Sequence, residues 1–195
     1  MIHASMSEHR GRATESVRSR VVLAVPPVLF ASVAVTVGSV ASRTVQQPYE
    51  TAFFQLFFSD PLHMKVWLVT AALLLAVGQL VTASRIYGVL HFRPGGRFYG
   101  LVHRWSGRAA ILLTLPIAYH CIFLLGFGTY GSRALVHSLL GSIFYGAFLA
   151  KLFLVRANGF SGWALPVAGG LLFFILLGLW LTSSLWFFRT FGVGI

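Results

Sequence analysis

The chain has 195 residues, 57% of them apolar and only 10% charged, with a net charge of +11 and a mean hydropathy of +0.81. Apolar content that high excludes a water-soluble globule of this size. The basic excess is no nucleic-acid face either, because the arginines sit at the ends of apolar runs and in short loops, where positive residues set membrane topology.

Residues 1–20 read as a disordered cytoplasmic tail. The first span is expected at 21–40, with Pro26-Pro27 bending it or delaying its first regular turn. A cleaved signal peptide is the rival reading, because a basic region precedes the run and Ser39-Val40-Ala41 suits a peptidase. The length of the run and its internal Ser, Thr and Gly favour a span. Arg43 to Lys65 is an outer segment in which Phe53, Phe54, Phe57 and Phe58 share one helical face. That suits either a short helix in the interface or a loop packed on the bundle. Span two is 66–85, with Gln79 its one strongly polar residue and Gly78 leaving room for a neighbour. The stretch after it carries Arg85, Arg93, Arg97, Arg104 and Arg108, a density that marks the cytoplasmic side. Spans three, four and five follow at 106–127, 134–155 and 163–188, with a short outer tail at 189–195. Trp163, Trp180, Trp186 and Tyr130 fall near span ends, as an aromatic belt requires. The expected architecture is all-α: a five-span helical bundle of the membrane, N-terminus inside and C-terminus outside.

Four acidic residues, Glu8, Glu15, Glu50 and Asp60, all lie outside the apolar runs. Proton pumps and cation-coupled carriers need a carboxylate at membrane depth, so a transporter is disfavoured. The single Cys121 removes internal disulfides and thiolate metal clusters. Lys65 and Lys151 are the only lysines against many arginines. With the Ala, Gly and Val content, this points to a GC-rich bacterial genome and hence to a bacterial inner membrane.

Seven histidines are present, and position separates them. His3 and His9 lie in the tail, His63 at the outer end of span two, and His91 and His103 on the inner side. His120 and His137 fall inside apolar runs that flank the turn Gly126 to Gly131. His120 is eight residues before Gly128 and His137 eight after Thr129. In an up-down hairpin the two imidazoles then reach equal depth, where ionisable groups are costly and are functional candidates. A b-type haem needs such a pair, one neutral imidazole on each face of the iron. Gly141, one turn below His137, leaves room for a porphyrin edge, and Phe144, Tyr145 and Phe148 would wall it. Pro116 frees a carbonyl in its own helix and can open it beside a bulky ligand. Two histidines can equally be interhelical hydrogen-bond partners of each other, of Tyr119 or of Ser138, or serve a metal or proton relay. Lys151 lies on nearly the same face as His137. It either snorkels to the interface or pairs with a haem propionate, a quinol head group or a lipid phosphate.

The motifs HRWSGR at a span entry, PIAYHC within the span and HSLLG opening the next resemble the small membrane b-type cytochromes, the cytochrome b561 and ferric-reductase-like haem bundles. The chain is also similar to five-span membrane proteins of high-GC bacteria. The resemblance covers about Leu101 to Arg156. It implies His120 and His137 as ligands of one haem b and His103 as a further candidate ligand; Gly141 and Lys151 are expected beside the cofactor from their positions relative to His137. It implies a subunit passing electrons between a quinol pool or outer-face donor and a partner redox protein. The pattern departs from ferric reductases, whose paired histidines are fourteen apart on one helix, whereas His103 and His120 are seventeen apart. No flavin or nicotinamide site is visible, so an electron-transfer subunit is expected rather than a self-contained enzyme. The alternatives are a structural or assembly subunit without haem and, further off, a small-solute transporter whose cavity would be lined by Gln79, His120 and His137.

Overall fold

The computed structural model describes residues 2–47, 54–91, 96–157 and 160–193, with the backbone alone for 2–20. Among the described residues all regular structure is helical. Helix α1 is Ile2–Arg43, α2 is Pro61–Ile86 and α3 is Gly96–Tyr119, prolonged by a π-helical turn at His120–Leu125. Helix α4 is Ser132–Arg156, and α5 is Ala164–Trp180, prolonged by a second π-helical turn at Leu181–Leu185 into α6, Trp186–Phe191. Five segments are long and apolar enough to cross a membrane: Val21–Arg43, Pro61–Ile86, Arg97–Leu125, Ser132–Arg156 and Ala164–Phe191. The protein is therefore a multi-pass membrane protein in a lipid bilayer.

Several boundaries differ from expectation for local reasons. The stretch 2–20, expected as a disordered tail, continues α1, and the same helix runs through Pro26 and Pro27 without a break. A long helix already nucleated in the apolar run extends readily into Ala-, Arg- and Glu-containing sequence. Helix α2 begins at Pro61 because Asp60 caps it, accepting from the N–H groups of Leu62 at 2.7 Å and His63 at 2.9 Å. Proline at the first helical position loses nothing there. The Asp60 carboxylate also bonds the His63 ring. Burial opposes its charge, but the bonds from His63 and Leu62 outweigh that and hold the carboxyl below the usual range. Span three starts at Arg97 rather than 106, so HRWSGR is helical and Arg108 lies over the Trp105 ring at 5.0 Å. Residues 54–60 form turns rather than an interfacial helix, and Phe54 packs inward on the bundle. Phe53 and Glu50 lie outside the described residues. Trp180 is not part of a belt: it lies well inside span five and its Nε1 donates to Thr70 Oγ1 at 2.9 Å, tying α5 to α2. Trp163 and Tyr130 are exposed at span ends.

The helices form a ring. Helix α1 packs on α4, α4 on α5, α5 on α2, α2 on α3, and α1 closes on the π-turn that ends span three. Among the described residues α3 and α4, consecutive in sequence, do not pack along each other. The close hairpin expected from the short turn is thus an open one. Two features hold it so. Helix α4 is drawn to α1 at Gly146, where a Cβ would lie 2.5 Å from Phe30 O. The C-terminal end of span three is anchored to the end of α1 and the segment after it. There Phe127 N–H donates to Ala41 O (2.9 Å) and Gln47 N–H to Leu124 O (2.8 Å), while Thr44 Oγ1 donates to Ile122 O (2.8 Å). Gly126 at φ +74° makes this approach: a Cβ there would lie 2.7 Å from Thr44 O, in a backbone region that favours glycine.

Candidate functional sites: two histidine-lined cavities

Where α3 and α4 part, at the end of the bundle that carries the Gly126–Gly131 turn, a cavity of about 360 Å³ opens inside the ring, within the range of small-molecule sites. Span three lines it with Thr114, Ala118 and Cys121, and span four with His137, Gly141 and Tyr145. These positions recur at three and four residues, one face of each helix. The Tyr145 hydroxyl lies 2.9 Å from Thr114 Oγ1 and donates to Thr114 O at 3.1 Å, linking the two helices across the cavity. Gly141 contributes space rather than close packing, since a Cβ there would meet nothing nearer than Leu179 Cδ2 at 4.0 Å.

His137 is held from behind. Its Nδ1 lies 2.9 Å from Thr182 Oγ1, on the second π-turn. The Thr182 hydroxyl has one proton, directed into its own helix: Oγ1 donates to Gly178 O at 2.7 Å, with Leu179 O at 3.1 Å. Toward His137 it presents a lone pair. The hydrogen-bond network therefore assigns the imidazole proton to Nδ1 and leaves Nε2 as an acceptor or metal ligand. Two cations line the same cavity, Lys65 and Arg133. The Arg133 guanidinium sits over the Trp186 ring at 3.9 Å and donates to Thr182 O at 2.8 Å. Ser138, weighed as a partner of histidine, instead accepts from Gly128 N–H at 2.9 Å and closes the turn between spans three and four.

His120 takes a different place. It opens the first π-turn, where Gly126 N–H reaches back five residues to Cys121 O at 3.0 Å. π-Turns recur at functional positions and re-aim side chains. Here Cys121 lines the cavity and His120 does not. His120 is fully buried, its ring 4.4 Å from that of Phe54 and 5.8 Å from that of Tyr119. The structure does not bring His120 and His137 together on one cavity.

A second cavity of about 360 Å³ lies among α2, α3, α4 and α5 at the other end of the bundle. Gln79, His103 and Lys151 line it. His103 is held as His137 is: Nδ1 lies 2.9 Å from Thr82 Oγ1, which donates to Gly78 O at 2.8 Å. Its Nε2 is again the nitrogen left over. Gln79 is committed to helix pairing, its Nε2 donating to His103 O and to Ser106 Oγ at 2.6 Å. Phe144 and Leu176, both nearly fully buried, line both cavities and form the wall between them. Gln79, His120 and His137 therefore line no common cavity among the described residues. His63 is at the start of α2 with its ring 5.0 Å from that of Phe187, and His91 is exposed in a loop. Among the described residues no three His, Cys, Asp or Glu side chains converge on a metal position.

The two threonines were missed by sequence reasoning, yet they carry a signal. Gly78-Gln-Leu-Val-Thr82 and Gly178-Leu-Trp-Leu-Thr182 have the same Gly-x-x-x-Thr spacing, which lets a threonine bond the glycine carbonyl one turn back and turn its lone pair outward. A family model matches residues 23–195, and the chain belongs to that family, a family of unknown function designated DUF6529. No curated protein and no solved structure matches it.

Proposed function

We propose that this DUF6529 protein is an electron-transfer subunit of a bacterial inner membrane that holds one haem b in its outer cavity, with His137 as the protein ligand. The observation that carries the reading is the His137–Thr182–Gly178 chain of bonds. Metal-ligating histidines characteristically donate their other ring N–H to a fixed acceptor, which sets the tautomer and orients the ring. The donor set suits the group. His137 offers Nε2, Lys65 and Arg133 offer cations to two carboxylates, and Gly141 widens an otherwise apolar space. Haem bound there supplies a one-electron couple. Thr182 holds the ligand's proton on Nδ1, Arg133 is braced on Trp186, and Phe144 and Leu176 close the floor against water from the other side. His120 is left out of the ligand set because it does not line the cavity. Electrons would pass between a quinol pool or an outer-face donor and a partner redox protein. The arginines of the 85–108 region support a cytoplasmic position for that end of the bundle.

The test is a reduced-minus-oxidised spectrum of protein purified from haem-replete cells. A Soret band with a high-spin signature is expected. It should disappear in His137→Ala and persist in His120→Ala. Collapse in both variants would restore the paired-ligand arrangement. No Soret absorption in the wild type would end the haem reading and leave His137–Thr182 as an interhelical tie of a structural subunit.

A further inference from the structure

We infer that the inner cavity is the binding site for the head group of a membrane quinol, held between His103 and Lys151. The inference takes its purpose from the electron-transfer reading, but its geometry is separate: the two cavities share Phe144 and Leu176 and no other lining residue.

The two polar ends of this cavity have opposite hydrogen-bonding character. At one end, Thr82 spends its proton on Gly78 O and takes the Nδ1 proton of His103, so Nε2 is an acceptor. At the other end stands the Lys151 ammonium, which can only donate. Its Nζ is turned toward α5, where a Cβ on Gly169 would lie 3.7 Å away. Among the described residues Lys151 has no carboxylate or hydrogen-bond partner. Between the two ends the walls are apolar, with Phe148, Leu172 and Phe173 among them.

A ligand that satisfies both ends must donate at one point and accept at another across an apolar body. A hydroquinone does this: one O–H donates to Nε2 of His103, and the other oxygen accepts from Nζ of Lys151. The ring fills the apolar middle. A phospholipid phosphate or a fatty carboxylate only accepts, and would set its lone pairs against Nε2. The oxidised quinone also only accepts, so the site favours the reduced form. Position agrees with a lipid-soluble ligand. His103 is six residues from the start of span three at Arg97, and Lys151 five from the end of span four at Arg156. The head group then sits just inside one membrane face, with its tail among the lipid chains.

The experiment is equilibrium dialysis of the full-length protein in detergent against a short-tailed benzoquinol kept reduced, the matching quinone, and oleate. The quinol should bind saturably and about ten-fold more tightly than the quinone, the usual scale for one buried hydrogen bond gained or left unmade. Lys151→Met and His103→Leu should each weaken quinol binding about ten-fold or more. Gly169→Leu should block it by filling the cavity while leaving both polar groups in place, and it serves if either polar variant does not fold. Thr82→Val should erase the preference for quinol over quinone. Equal affinity for quinol and quinone, unchanged binding in folded Lys151→Met and Gly169→Leu, or displacement of quinol by oleate would each overturn the inference. Dialysis does not depend on pigment, so a failure here leaves the His137 spectrum standing, and a missing Soret band leaves this result standing.

Discussion

Gly141 and Gly146 lie on one helix, five residues apart, and their alanine variants should move stability in opposite directions. In a helix interior, Gly→Ala is worth about 1 kcal/mol in favour of alanine. At Gly141 nothing opposes that gain, since the new methyl meets Leu179 Cδ2 at 4.0 Å, ordinary contact. At Gly146 the methyl would stand 2.5 Å from Phe30 O and 3.3 Å from Phe30 C, backbone atoms that cannot swing aside. Relief requires α1 and α4 to separate by at least 0.5 Å to reach the 3.0 Å that Cβ atoms observe. Overpacking of this kind costs about 1–3 kcal/mol, and a rigid backbone neighbour puts it at the upper end. Net changes of about +1 kcal/mol for Gly141→Ala and about −2 kcal/mol for Gly146→Ala are expected from these two terms. Thermal unfolding in one detergent, followed by circular dichroism at fixed scan rate, compares the two. If Gly146→Ala is as stable as Gly141→Ala, the close α1–α4 approach is wrong, and with it the ring that holds α3 and α4 apart.

Substitutions at Thr182, Asp60 and Gln79, with Thr190 as a control, probe the polar framework. Thr182→Val should lower haem retention about 10- to 100-fold, the range for losing a ligand's hydrogen-bond partner. Thr190→Val, whose hydroxyl bonds only its own helix at Trp186 O, should leave retention unchanged in the same chelator-competition assay. Asp60→Ala should cost about 1 kcal/mol of thermal stability through the lost cap. The Asp60 carboxyl is depressed in the folded state, so its contribution is full above the unfolded carboxylate's pKa of about 3.9 and is lost as pH falls through the lower folded value. The difference between wild type and Asp60→Asn should therefore shrink below about pH 4, and a difference that grows on acidification would refute the bond to His63. Gln79→Leu should cost no more than about 1 kcal/mol in a denaturing-detergent titration, because interhelical bonds in membranes average about 0.6 kcal/mol. A loss several times larger would mean that Gln79 organises the inner cavity.

Composition and hydropathy sufficed for the five spans, because apolar runs of bilayer length have few other uses. Their pairing was not legible. A short turn between spans three and four predicts close neighbours, yet the partners of α4 are chosen by Gly146 against α1 and by Thr182 against His137. Those contacts are long-range, and hydropathy carries no trace of them. The entry of span three was read too late because its arginines were counted as loop. On a helix near the membrane face, Arg104 and Arg108 reach water along their own stems, so they do not end it. That error kept His103 out of the membrane and hid the inner cavity. His137, singled out by its depth, does line a cavity. His120 was singled out by the same depth, but one π-turn, which no propensity scale predicts, presents Cys121 to the cavity in its place. Gly141 has open surroundings, a Cβ there meeting nothing nearer than Leu179 Cδ2 at 4.0 Å.

The size of the cavities bears on what fills them. Each is about 360 Å³ and partly open rather than sealed, so surrounding molecules can enter it. Lipid chains can supply the apolar volume, but they offer nothing to Nε2 of His137 or to the Lys151 ammonium. Each polar group facing a hydrocarbon-filled space without a partner costs about 1–3 kcal/mol, more when charged. A sequence under no demand for a ligand would reach the same fold more stably with leucine at 137 and 151. It keeps instead an imidazole with a fixed tautomer in each cavity, braced by the same Gly-x-x-x-Thr device on two different helices. The same brace recurring on two helices, at two depths, is the arrangement expected of ligand sites rather than of loose packing between helices.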